Sequence, residues 1–190
     1  MVKLGFIVEG ETEKILLESE IFKDLLSKFK LDYISEIVDA GGNGNLLPKN
    51  IEKISAILID KGASKIIVLT DLDKDKCVTE TKNRISPLEN HICVISKKEI
   101  EAWFLADTLA LSNFLKSSNF DIHSPETIEE PFEEIKKLRM NLNNRGIGDK
   151  KILARFMVKN NFSFERAASH PNCTSAKYFI DKLKTLSNQN

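Results

Sequence analysis

The chain holds few of the residues that would reveal its chemistry one at a time. Its 190 residues include 3 Cys, 3 His and 1 Trp. Cys77, Cys93 and Cys173 are odd in number and far apart, which argues against a disulfide framework and for reduced thiols in a cytoplasmic protein. Zinc normally takes four ligands. The stretch His170-Pro171-Asn172-Cys173 has no second ligand pair at a suitable spacing, so it reads as a helix break with a buried cysteine. His91 stands at the start of an apolar run and reads as structural, and His123 lies in a polar loop. No apolar stretch approaches the roughly 20 residues of a membrane helix. The first residues already follow a strand pattern rather than a charged region leading into an apolar secretory segment, so no export is expected. No internal repeat and no low-complexity tail is visible.

Net charge is also lacking, with 28 Lys+Arg against 28 Asp+Glu, but the balance is uneven along the chain. Residues 1–135 carry 16 basic and 25 acidic side chains, whereas residues 136–190 carry 12 and 3. A basic carboxyl-terminal quarter suits a polyanionic partner. Internal neutralisation against the acidic run Glu129–Glu134 is the competing reading.

Short apolar runs alternate with amphipathic stretches. Lys3–Val8 reads as a strand buried on both faces, and Tyr33–Val38, Lys65–Thr70 and His91–Ser96 read as further strands. Thr12–Lys30 reads as one helix with a single apolar stripe, and a second helix runs from Pro48 to a stop near Gly62. A loop and short helix are expected over 74–88. The β-α-β-α-β-α-β order predicts an α/β fold: a four-stranded parallel sheet with helices on both faces. After Ser96 the strand signals stop. Glu99–Leu115 reads as a helix, 113–130 as polar and irregular, and Pro131–Leu142, Lys150–Lys159, Phe164–Ala168 and Ala176–Leu186 as helices. The division this suggests is an α/β domain over 1–115 with a basic helical extension over 116–190 packed on it.

The chemistry concentrates at two strand ends. Val8-Glu9-Gly10-Glu11-Thr12-Glu13 follows the first strand, and Asp71-Leu72-Asp73 follows the third. Open α/β sheets bind ligands beyond the carboxyl ends of their strands. Glu9, Asp71 and Asp73 meeting there would form a hard oxygen site suited to Mg²⁺ or Mn²⁺. In an extended chain the two-residue spacing of Asp71 and Asp73 points both side chains the same way. A lone D-x-D is more often a turn or cap; the strand-one motif tips the reading toward a metal. Such an ion could polarise a phosphodiester and activate water. Glu101, after the fourth strand, is a further candidate ligand. Glu99, Glu13, Lys97 and Lys98 are candidates for a second metal or a phosphate, although acids in a first helical turn are also favoured by the helix dipole alone. Lys150, Lys151, Arg155, Lys159 and Arg166 are the basic residues placed to form a face for a nucleic-acid backbone. Trp103 and Phe104 read as packing residues.

The stretch Phe6–Leu17 (FIVEGETEKILL) resembles the opening motif of the TOPRIM fold of topoisomerases, primases and OLD-type nucleases, and is most similar to the OLD-nuclease version. That family has a Glu in the turn after strand one and a D-x-D after strand three, as Glu9 and Asp71/Asp73 stand here. Glu99–Asp107 and Cys173–Phe179 resemble stand-alone TOPRIM-related proteins of the DUF4276 type, some of them associated with ATPases in bacterial defence gene clusters. The resemblance implies a TOPRIM-like (Rossmann-like) sheet, Mg²⁺-dependent cleavage of DNA or RNA, and a place in phage defence. It makes Glu9 a metal ligand or general acid/base and Asp71 and Asp73 metal ligands. Tyr33 and Tyr178 have no context marking a strand-transfer nucleophile, which favours hydrolysis over topoisomerase action. The chain has no G-x-x-x-x-G-K-[ST] motif, so a coupled ATPase would be a separate subunit. The alternative is a non-catalytic nucleic-acid-binding or regulatory subunit partnered with such an ATPase.

Overall fold

The structure is a computed structural model describing residues 2–73, 75–117 and 120–189. Lys74, where the loop expected over 74–88 begins, and Ser118 and Asn119 in the polar stretch lie outside the described residues. Four strands, β1 (Lys3–Val8), β2 (Asp32–Asp39), β3 (Lys65–Asp71) and β4 (His91–Ser96), form one sheet in the order β2-β1-β3-β4. All three pairings are parallel. Val8 lies opposite Leu69, and Asp71 opposite Ser96, so the ends of β1, β3 and β4 share one edge.

The alternation of side chains along the strands divides the apolar residues between two faces. Phe6, Val8, Ile67, Leu69 and Val94 point into one cluster, which also takes in Trp103, Phe162, Phe179 and Leu183. Ile7, Ile66, Val68 and Cys93 point into a smaller cluster with Leu46, Ile51 and Leu58. The sheet is therefore covered on both sides, as parallel sheets require. The second face is covered by α3 (Pro48–Asp60), which approaches β1 closely at Gly5. A Cβ there would sit 3.1–3.2 Å from Leu58 and Ala63, so a larger residue would require those side chains to give by a few tenths of an ångström. The short helix α4 (Val78–Ile85) connects β3 to β4.

Two stretches expected as single helices are each broken by a capping side chain. Thr12–Lys30 is split into α1 (Glu11–Leu17) and α2 (Glu20–Lys28). Ser19 makes the break: its hydroxyl donates to the Leu16 carbonyl at 2.6 Å and accepts from the Phe22 amide. Glu99–Leu115 is split into α5 (Glu101–Ala106) and α6 (Thr108–Leu115) at Asp107, whose carboxylate caps Ala110. In both cases the apolar stripe continues through the break, which is why periodicity alone missed it.

The remaining helices are α7 (Pro131–Asn143), α8 (Lys150–Lys159), α9 (Phe164–Ser169) and α10 (Thr174–Ser187). The larger cluster runs from Leu4 to Leu186 and unites them with the sheet. At its centre Trp103 stacks on Phe179 with ring centroids 5.6 Å apart, and its indole N–H donates to Ser175 at 2.7 Å. Trp103 is fully buried, as a packing residue should be. Among the described residues no helix is long and apolar enough to cross a membrane. Cys77, Cys93 and Cys173 are free.

Candidate functional site

Glu9 leaves β1 and turns toward β3. Its Oε2 accepts from the Thr70 hydroxyl at 2.5 Å and from the Asp71 amide at 3.1 Å. Asp71 is buried, and its Oδ1 accepts from the Ser96 hydroxyl on β4. Adjacent parallel strands thus bring Glu9 and Asp71 together. Two residues missing from the principal trio join them. Glu13, in the first turn of α1, is 4% exposed and accepts from the Gly10 amide at 3.1 Å. Glu101, at the start of α5, is 0% exposed, and neither of its carboxyl oxygens has a hydrogen-bond partner.

Asp73 stands apart. β3 ends at Asp71, and Asp73 takes a left-handed φ of 48°, so the strand alternation that would align the two aspartates stops one residue too soon. Asp73 is exposed and accepts from Asn43 at 2.7 Å. That asparagine belongs to the glycine-rich loop after β2, which folds into a 3-10 turn over Asn43–Asn45. Gly42, at φ 112°, donates to the Glu9 carbonyl at 2.7 Å and ties the loop to the site. Asp73 also lines a cleft of about 640 Å³ with Lys98, Glu99, Glu129 and Glu133.

The buried acids disturb one another's ionisation. Burial raises Glu9 above its ordinary value, against the bonds from Thr70 and Asp71, and the nearby Asp73 charge adds to the rise. Burial, with Glu101 and Glu9 nearby, pushes Glu13 up to about 8. Glu101 is raised to about 7, chiefly by burial, with Lys150 opposing. Burial lifts Asp71 well above the carboxylate range, and Glu13, Glu101 and Glu9 reinforce it.

The principal basic counterpart is Lys150, the first residue of α8. Its Nζ lies 2.7 Å from Glu99 Oε1 and 3.7 Å from Glu101 Oε2. Burial alone would lower its affinity for a proton, but Glu101 and Glu99 outweigh that and raise it. The other lysines near the edge face elsewhere. Lys97 reaches Thr174 at 2.7 Å and Glu126 at 3.3 Å, and Lys98 pairs with Glu129 at 2.7 Å.

The basic residues expected along one face are partly engaged inside the fold. Lys151 and Arg155 both meet Glu11, in the first turn of α1. Lys159 is exposed. Arg166 does not belong to such a face: its guanidinium grips buried Asp107 with bonds of 2.8 and 2.9 Å. His170 accepts from the Asn172 amide and its other ring nitrogen meets the Ile122 carbonyl, so both nitrogens are used in a turn. His91 is likewise engaged by Ser55 and the Leu88 amide.

Could these residues hold a divalent ion? The donors are all carboxylate oxygens, the set a hard cation prefers, and Glu101 offers two buried oxygens with no hydrogen bond. Among the described residues, however, no three His, Cys, Asp or Glu side chains already surround a common point closely enough to hold a metal. Mg²⁺ commonly takes only one or two protein carboxylates and completes its shell with water and substrate phosphate. The chemistry fits a cation, with a ligand set that the protein alone leaves incomplete.

Two solved structures resemble the chain. The C-terminal region of the Burkholderia pseudomallei OLD protein is 16% identical, with 96% of this chain and 99% of that one covered at a TM-score of 0.46. The C-terminal region of the Xanthomonas campestris pv. campestris OLD protein is 12% identical, with 99% and 98% covered at a TM-score of 0.40. No curated protein matches. The family model described as "Domain of unknown function (DUF4276)" matches residues 8–184, nearly the whole chain. The chain belongs to the DUF4276 family.

Proposed function

We propose that the protein is a TOPRIM-type nuclease that hydrolyses phosphodiester bonds of DNA or RNA with Mg²⁺ or Mn²⁺. One observation carries this reading: Glu101 is fully buried with no hydrogen bond to either carboxyl oxygen and only the Lys150 ammonium at 3.7 Å, in an acid-rich pocket with Glu13 and Asp71. An ionised carboxylate left in that state is costly. A cation or a proton must relieve it, and both are useful in phosphoryl chemistry. The E…D-x-D arrangement of Glu9, Asp71 and Asp73, with its resemblance to OLD-type nucleases, supports the same reading.

Glu9 and Asp71 would hold the ion, because they converge from neighbouring strands. Glu101 would complete the ligand set. A bound divalent ion would polarise the phosphodiester and lower the pKa of a coordinated water. Glu13, raised to about 8 in the metal-free protein, would give up its proton as the ion binds and could then act as a base beside it. Lys150 keeps its proton and would steady a substrate phosphate, with Asp73 on the rim of the open cleft.

The test is cleavage of single- and double-stranded DNA and RNA in Mg²⁺ or Mn²⁺. Glu9→Gln and Asp71→Asn should each lower the rate by about 100-fold or more, since even outer-shell partners of metal ligands cost 10- to 100-fold. Intact substrates throughout, or variants that cut like the parent, would overturn the enzyme reading. One observation favours a second reading: no ready three-ligand group exists among the described residues. A non-catalytic subunit that binds nucleic acid and works with a separate ATPase would retain the fold and bind in a salt-dependent manner without product. A role in phage defence belongs to the same proposal, and loss of plaque protection in Asp71→Asn would support it.

A further inference from the structure

A second charge imbalance, opposite in sign, lies among α6, α7 and α8. A cavity of about 210 Å³ is lined by Phe114, Lys116, Arg139, Asn143 and Arg145. Its lining among the described residues contains three cations and no acid. The guanidinium of Arg139 lies against a pair of neighbouring rings, its carbon 4.3 Å from the centroid of Phe114 and 4.7 Å from that of Phe156, which are themselves 5.6 Å apart. One of its terminal nitrogens, Nη1, is buried and has no hydrogen-bond partner. No carboxylate among the described residues forms an ion pair with Lys116, Arg139 or Arg145.

Asn143 spends its amide on the Leu115 carbonyl at 2.7 Å, fixing the end of α7 against α6. Lys116 closes α6 in a left-handed conformation with φ 51°, which places it on the cavity wall. Burial and the nearby Arg145 charge both lower the proton affinity of Arg139. A guanidinium does not deprotonate in practice, so an anion, and not proton loss, is what relieves the crowding.

We propose that this cavity is a binding site for a phosphate-type oxyanion, held by the fork of Arg139 with Arg145 and Lys116. The planar fork can donate two parallel bonds to phosphate oxygens, and contact with the Phe114–Phe156 ring pair helps fix its orientation in advance. The volume is below that of a drug-sized ligand pocket and suits one anionic group. α8 connects the two charged regions: Lys150 at its start meets Glu99, and Phe156, about 9 Å further along the axis, backs the cavity. The site does not depend on metal at the carboxylates.

Binding is measured on the full chain in EDTA, so that no turnover is required. One arm titrates inorganic phosphate against chloride at matched ionic strength; the other titrates a single-stranded oligonucleotide over a salt series. Arg145→Gln and Lys116→Gln are exposed positions that leave the contact of Arg139 with Phe114 and Phe156 in place, and Arg139→Lys removes the fork while keeping the charge. At least one ligand should bind the parent about 10-fold more tightly than the Arg145→Gln/Lys116→Gln variant, with Arg139→Lys also weakened. If the oligonucleotide is the ligand, the salt slope should fall by about one unit for each lost contact. Weakening in the phosphate arm alone identifies a free phosphate or nucleotide as the source. Unchanged binding of both ligands across all the variants would overturn the site.

Discussion

Asp107 and Glu101 are six residues apart, both fully buried, and differ in nearly every other respect. Asp107 is saturated. It accepts from the Ala110 amide at 3.2 Å, from the Ser163 amide at 2.7 Å and from two Arg166 nitrogens. Glu101 has no hydrogen bond to either oxygen and one lysine at 3.7 Å. The first is a structural acid that caps α6 and ties α9 to it. The second is left unsatisfied among other acids at the sheet edge. Buried polar groups are nearly always paired, so the contrast separates an acid kept for folding from acids kept for a ligand.

The largest stability effect should come from the satisfied member. Asp107→Ala removes two caps and strands Arg166, which is partly exposed and can turn to water, so the loss should be about 3 kcal/mol in urea denaturation. A loss below about 1 kcal/mol would erase the contrast. The unsatisfied member should behave in the opposite way. Glu101→Met replaces a buried acid with an apolar chain of similar length, and the metal-free protein should gain about 1–2 kcal/mol at pH 8. The same variant should show weaker stabilisation by Mn²⁺.

Acidity sharpens the comparison next. The folded values of Glu13, about 8, and Glu101, about 7, lie above the ordinary 4.5, so the native state binds protons more tightly than the unfolded chain. Stability of the metal-free protein should therefore fall as pH rises from about 4.5 to about 8. A cation replaces those protons, so the rise in melting temperature on adding Mn²⁺ should grow with pH over the same window. A metal effect that is flat with pH would detach the cation from these acids. The smallest effect belongs to the outer pairs: Lys151→Ala, which loses exposed Glu11, should leave the midpoint of the same urea titrations unchanged within error.

Much of this was legible in the sequence. Strands showed as apolar runs, and the helices after Pro131 matched their periodicity to within a residue or two. Glu9 and Asp71 were legible because strand-end acids in an α/β order have few places to go. Glu13 and Glu101 were harder to rank, since an acid in a first helical turn looks the same whether it faces solvent or a buried pocket. Asp73 depended on where β3 ended, a matter of one backbone dihedral. The pairing of Arg166 with Asp107 links residues 59 apart, and nothing local distinguishes a gripping arginine from a solvated one. The contact of Arg139 with the Phe114–Phe156 ring pair was hidden for the same reason.

The central claim is that the buried acids at the ends of β1, β3 and β4 are a cation site. Crystals of the metal-free protein soaked in Mn²⁺ and measured at the manganese edge test it most directly. An anomalous peak within coordination distance of Glu9 and Asp71, lost in Asp71→Asn, is the predicted result. Saturating Mn²⁺ with no peak at those carboxylates, Glu9 still bonded only to Thr70 and the Asp71 amide, and Asp71 only to Ser96, would contradict it.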